Sequence, residues 1–294
     1  MNNQFFSFDE PKETPKPVNV ASVPQRSLFR YPGGKTWLVP LFRRWMASFE
    51  SKPSILIEPF AGGGIIGLTA AFEALTSKVL LVELDERVAA VWITTLNDDA
   101  EWLANAILNF NLTPDSALQL LKSKPSSTRD LALQTIVRNR TAHGGILADG
   151  AGVIKLGENG KGILSRWYPK TLSTRINVIS HIAHRIDFIQ GDAFSVLEDK
   201  QDLNDAAFFI DPPYTAGGKN AGSRLYTHSA INHDQLFSSC SLLKGNFLMT
   251  YDNSDEVSSL AKKYGFETRP VSMKNTHHAE MKELLISRDL SWLG

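Results

Sequence analysis

One cysteine, Cys240, stands in 294 residues. A lone thiol excludes an internal disulfide and a cysteine-rich zinc site, and its place in an apolar-periodic stretch points to a buried, inert side chain. Long apolar runs are missing too, so no segment reaches bilayer-spanning length. The N-terminus lacks a basic segment leading into an apolar core and a small-residue cleavage site, so the expected location is cytoplasmic, with no membrane contact. Net charge is also absent, the formal total being +0. That zero argues against a polyanionic partner, yet it hides an uneven spread. Residues 101–185 carry eleven Lys or Arg against five Asp or Glu, and the rest of the chain is correspondingly acidic. On charge alone, a solvated helical face and a nucleic-acid surface fit that excess equally well.

What is present is ordinary globular material, 43% apolar and 21% charged. Residues 1–26 hold Pro11, Pro15, Pro17 and Pro24 among polar residues without periodicity and read as a flexible tail. Short β-rich runs then alternate with helical stretches, which predicts an α/β fold with a largely parallel sheet. Strands are predicted at 55–58, 79–83, 186–190, 207–210, 247–251, 266–271 and 284–287. Residues 98–185 break the rhythm. They read as helix to Arg140, then a glycine-rich stretch, then helix again, and an insert of this size within an α/β sheet usually serves a function. The organisation is therefore a tail (1–26), a catalytic domain (27–97 and 186–294) and an insert (98–185).

The first strand runs into Pro59-Phe60-Ala61-Gly62-Gly63-Gly64-Ile65-Ile66-Gly67, a glycine turn that opens a helix. Gly62, Gly64 and Gly67 match the dinucleotide fingerprint, and Glu83 ends the next strand where an acid would hold ribose hydroxyls. A dinucleotide and S-adenosylmethionine both fit. Glu58, directly before the turn, favours the second, because a carboxylate there suits the methionyl ammonium better than a pyrophosphate. A second glycine cluster, Arg30-Tyr31-Pro32-Gly33-Gly34-Lys35, lies upstream. It lacks the spacing of a P-loop, and Lys35 is expected to reach a carboxylate or phosphate.

The most informative stretch is Asp211-Pro212-Pro213-Tyr214 at the end of a buried strand. Two prolines fix the path of the chain and so aim the carboxylate. An aryl amine is a poor nucleophile because its lone pair is delocalised into the ring. Hydrogen bonds from its two protons to the Asp211 carboxylate and the Pro212 carbonyl would free that lone pair for attack on a methyl group. The Tyr214 ring could stack on a base flipped out of a duplex. No thiol is required, and Cys240 lacks the setting that would activate one.

Taken in order, Tyr31-Pro-Gly-Gly-Lys35, Glu58-Pro-Phe-Ala-Gly-Gly-Gly64, Glu83, Gly191-Asp192-Ala193-Phe194 and Asp211-Pro-Pro-Tyr214 resemble the Dam-type, alpha-group DNA adenine-N6 methyltransferases. The likeness spans most of residues 28–289 and includes Asn275-Thr-His-His-Ala279 followed by Glu283-Leu-Leu-Ile286. It implies a Rossmann-like methyltransferase fold with a mostly helical DNA-recognition insert, S-adenosyl-L-methionine as cofactor, and site-specific methylation of a flipped adenine, as in restriction-modification systems. It implies that Tyr31, Lys35, Glu83 and Asp211 contact the cofactor, with Asp192 or Phe194 near its adenine, joining Glu58, Phe60, Gly62 and Gly64. Glu83 departs from the commoner aspartate. The insert would bind double-stranded DNA through phosphate contacts from Arg138, Arg140, Lys155, Lys161 and Arg166, with Arg30 against a flanking base. The chain would act as a monomer, in a bacterial cell and encoded by host or phage. Adjacent His277 and His278 point apart, so no metal is expected.

Two other classes stay open. An amino-methyltransferase acting on cytosine N4, RNA or protein glutamine makes the same demand on the acceptor site. A non-catalytic DNA-binding protein could keep the fold, and cofactor titration would separate it. A dehydrogenase would rest on the glycine fingerprint alone and leave Asp211 to Tyr214 unexplained.

Overall fold

The computed structural model describes residues 22–30, 34–147, 152, 154, 157, 160–213, 231–274 and 280–294. Seven strands form one sheet: β1 (Ile55–Glu58), β2 (Lys78–Glu83), β3 (Ile186–Gln190), β4 (Ala206–Ile210), β5 (Asn246–Asp252), β6 (Glu267–Lys274) and β7 (Glu280–Ser287). Their order is β3-β2-β1-β4-β5-β7-β6. The first five run parallel, and β7 enters antiparallel between β5 and β6. This is a Rossmann-like layout, and it agrees with the α/β class read from the sequence.

The central strands β1, β2, β4 and β5 are buried on both faces, which is why they are nearly continuous apolar runs, whereas the edge strands β3 and β6 are more exposed. Along β4 every residue is buried, and the period of two sorts the side chains. Ala207 and Phe209 enter one core with Phe42, Trp45 and Trp92, whereas Phe208 and Ile210 enter the other with Phe237, Cys240 and Tyr251. The first face is covered by α1 (Val39–Ala47), α2 (Ile65–Phe72) and α3 (Glu86–Leu96). The insert supplies α4 (Ala100–Asn109), α5 (Pro114–Lys122), α6 (Thr128–Thr141) and α7 (Pro169–His181). The second face is covered by α8 (Ala193–Lys200), α9 (His233–Leu242) and α10 (Asp255–Lys263).

Local chemistry sets the helix starts. Asp85 caps α3 by accepting from the Arg87 and Val88 amides, Ser127 caps α6, and Ser254 caps α10. The insert shares the first core. Leu103, Ile107, Ile136 and Ile176 belong to the same buried cluster as Leu56 and Leu68 of the sheet and α2. The segment before α1 is stitched to it as well. Buried Asn139 of α6 accepts from the Arg30 amide at 2.9 Å and donates to the carbonyls of Arg30 (2.9 Å) and Gly145 (2.7 Å). A side chain on Gly145 would stand 2.2 Å from the Arg30 carbonyl oxygen, so that crossing needs glycine.

The described end of the expected tail is ordered by packing. Val23 is buried, and Arg26 pairs with Glu73 at 3.1 Å, so residues 22–26 belong to the fold and depart from the flexible reading. Residues 1–21 lie outside the described residues, as do Tyr31, Lys155, Tyr214, His277 and His278. Among the described residues no helix is long and apolar enough to cross a membrane.

Candidate active site

Five parallel strands end at one edge, and the chain leaves β1 toward β2 on one side while β4 lies on the other. Loops diverging from such a switch point leave a crevice, the usual ligand position in open α/β sheets. The glycine turn after β1 and Asp211 after β4 flank that crevice. The register Ile57↔Phe208 places the two strand ends side by side.

The glycine turn is built for close approach. Gly62 and Gly64 have φ of 46° and 58°, in the left-handed region that a Cβ disfavours. A Cβ on Gly64 would also stand 2.7 Å from Cζ2 of Trp92. Trp92, on α3, donates from Nε1 to the Gly62 carbonyl at 3.0 Å, and the Ser27 hydroxyl donates to the Gly63 carbonyl at 2.6 Å. Gly62 and Gly63 remain half-buried, which leaves the backbone of the turn partly open.

Glu83 ends β2 with both oxygens directed by backbone. Oε2 accepts from the Gly62 amide at 2.9 Å and Oε1 from the Asp85 amide at 2.9 Å. Burial pushes its carboxyl up to about 7, against the lowering effect of those amides. Glu83 therefore ties the glycine turn to the start of α3.

Glu58 differs from the exposed acid that an ammonium ligand would need. It is 3% exposed, and Oε2 accepts from the Gly67 amide in the first turn of α2 at 2.7 Å. Burial raises its carboxyl well above the usual range, and the nearby Asp211 charge adds to this. The structure makes Glu58 the acceptor for one of the orphan amides of α2, that of Gly67. A carboxylate placed one residue before a glycine turn cannot be told, from sequence alone, to face the helix rather than the crevice.

Asp211 is held from two sides. Its Oδ1 lies 2.9 Å from Nζ of Lys35 and accepts from the Thr250 hydroxyl on β5 at 2.8 Å. Lys35, at the start of the 3-10 turn Lys35–Leu38 before α1, is almost fully buried. Its Nζ also lies 3.5 Å from Oε2 of buried Glu283 on β7. Lys35 thus reaches two carboxylates of the chain itself, whereas the sequence suggests a carboxylate or phosphate of a ligand. Thr250 carries no motif, and Glu283 opens a segment that the sequence marks only as a closing strand; the pairing of β5 with β7 brings both here. Pro212 is buried beside Asp211.

The remaining predicted residues are spread out. Asp192 is exposed and caps α8, accepting from the Ser195 amide at 3.0 Å, while Phe194 is partly buried against the second core. Phe60 is partly buried against the same core. In the insert, Lys161 is exposed, and Arg30, Arg138 and Arg166 are half-buried. Arg140 corrects the expectation of a surface phosphate contact. It is 5% exposed, and its guanidinium donates to the Leu28 carbonyl, which spends it inside the fold. Burial, with Arg175 and Arg30 close by, pulls it down to about 10. Cys240 is fully buried, and that burial pushes its thiol up, so it offers no nucleophile.

No family model matches this chain. No curated protein matches it either. Solved structures share its layout at low identity. A proposed RNA methyltransferase from Pyrococcus horikoshii is 10% identical over 91% of this chain and 92% of that one, with a TM-score of 0.39. A methyltransferase from Geobacter sulfurreducens is 12% identical over 88% and 80%, with a TM-score of 0.39. A precorrin-6y C5,15-methyltransferase from Geobacter metallireducens is 10% identical over 85% and 87%, with a TM-score of 0.36. A likeness at this level concerns layout and says nothing of substrate.

Proposed function

We propose that this chain is an S-adenosylmethionine-dependent methyltransferase that acts on the exocyclic amino group of a flipped adenine in DNA. The observation that carries this is Asp211 at the carboxyl end of β4, beside the glycine turn of β1, with its Oδ1 fixed by Lys35 and Thr250. The donor set fits the cofactor: a partly open glycine backbone and an acid ending β2.

S-adenosylmethionine, held against the glycine turn and Glu83, would supply an electrophilic methyl group and leave as the neutral thioether, and the proton lost by the amine nitrogen would pass to the Asp211 carboxylate or to solvent. Asp211 and the Pro212 carbonyl accept the two amine protons as hydrogen bonds and so restore nucleophilicity to the nitrogen. Lys35 and Thr250 keep the carboxylate from rotating, which supplies orientation before the reaction begins. Glu83 and Trp92 hold the glycine turn in the shape that faces the crevice. DNA as the substrate is supported by the motif order and by the basic excess in the insert, where Lys161 is exposed.

The test is incubation with methyl-labelled S-adenosylmethionine and DNA lacking adenine methylation, followed by nucleoside analysis. Label in N6-methyladenine is expected. Label confined to cytosine or to RNA would move the substrate, and no label in any nucleic acid would remove the reading.

A further inference from the structure

Lys35 is an ammonium shared by two carboxylates, half-buried Asp211 at 2.9 Å and buried Glu283 at 3.5 Å. The sheet does not require the second acid. Glu283 pairs through its backbone with Asp252 of β5 and Val271 of β6, and any residue could supply those bonds. By the period of two it shares a face with Leu285, which lies in the first core, so an apolar side chain would suit the position. A carboxylate 8% exposed there carries a desolvation cost, which the Lys35 ammonium helps to offset.

We infer that Glu283 is a positioning residue for methyl transfer, acting through Lys35 on the Asp211 carboxylate. The inference rests on the reading of Asp211 as the acceptor of the amine protons. Glu283 draws Nζ toward β7, so that Lys35 steadies Oδ1 from the side. With Glu283 neutral, the ammonium has one anionic partner fewer and settles onto Asp211. The carboxylate is then a weaker acceptor, although its hydrogen bond from Thr250 persists. Nothing in this scheme requires Glu283 to touch cofactor or substrate. It acts on the chemical step and leaves binding as it was.

The experiment is a double-mutant cycle of Glu283→Gln and Lys35→Gln in the full chain. It reads kcat, KM for DNA, cofactor Kd by titration, and the unfolding midpoint. Glu283→Gln is expected to lower kcat about 10-fold, with both binding constants within about 2-fold. Because Glu283 acts through Lys35, the double variant should be no slower than Lys35→Gln alone, a coupling of about the full single-variant effect. A folded Glu283→Gln protein with unchanged kcat overturns the inference. So does additivity, or a loss seen in KM alone. Should Lys35→Gln not fold, the kcat and binding constants of Glu283→Gln decide by themselves. An unsubstituted protein that transfers no methyl group to any nucleic acid overturns the proposed function, and this inference with it. A protein that is active but shows an additive cycle overturns only the inference.

Discussion

The indole of Trp92 meets the glycine turn at two points: Nε1 donates to the Gly62 carbonyl at 3.0 Å, and the ring edge fills the space where a Cβ on Gly64 would stand. One side chain of α3 therefore fixes the carbonyl direction of the turn and restricts its sequence. Trp92→Phe removes the donor and keeps an aromatic ring. The loss of about 1 kcal/mol for such a hydrogen bond should appear as cofactor binding weakened about 5-fold, measured by calorimetric titration.

Gly64→Ala combines a left-handed φ of 58° with a 2.7 Å approach to Trp92. Backbone and overpacking costs together come to about 2–4 kcal/mol, read from urea unfolding. The same substitution in the Trp92→Phe background should cost less, because the obstructing ring atoms are gone. Equal costs in both backgrounds would show that the crowding is not the cause.

The acid at the end of β2 makes stability depend on pH. Glu83 is raised from 4.5 to about 7 in the folded protein. Between those values the native state binds the proton and the unfolded chain does not, so this group's contribution is fully present below about 4.5 and is lost as pH rises to about 7. Glu58 is shifted in the same direction. Glu83→Gln should flatten the fall in unfolding free energy between pH 5 and pH 8. A slope equal to that of the unsubstituted protein would contradict this account of Glu83.

Asn139→Ala leaves the amide and carbonyl of Arg30 and the carbonyl of Gly145 without their side-chain partner. A loss of about 3 kcal/mol is expected for this buried set, monitored by thermal unfolding. Cofactor affinity should fall with it, because the loosened segment leads to Lys35.

On DNA, Lys161→Glu and Arg138→Glu should each weaken binding and reduce the slope of log affinity against log salt by about 0.9 per lost phosphate contact. Arg140→Lys should leave that slope unchanged and lower stability instead, since its guanidinium is bonded to the Leu28 carbonyl. Fluorescence anisotropy over a salt series separates the two behaviours.

The strands were largely legible because buried parallel strands are short β-rich runs bounded by turns. β1 and β3 fall at the predicted residues, while β7 starts at Glu280 rather than 284, where Lys282 and Glu283 mask the apolar pattern. Motifs showed the glycine turn and Asp211, since each is local in sequence. The grip on Asp211 was not legible. Lys35, Thr250 and Glu283 are far apart in the chain and meet only through the sheet order. Arg140 had an unused signal. Ala132, Ile136 and Arg140 fall on one helical stripe, which marks the arginine as inward, whereas Arg138 lies two residues off that stripe.

Asn139 clamps Arg30 only five residues before Lys35, and the insert helices complete the same core as the sheet. Exchanging the insert helices for foreign ones would therefore disturb the segment that leads to Lys35, and with it the hold on Asp211, as well as the insert itself. Substitutions confined to the outer surface of the insert helices leave the 27–30 seam intact.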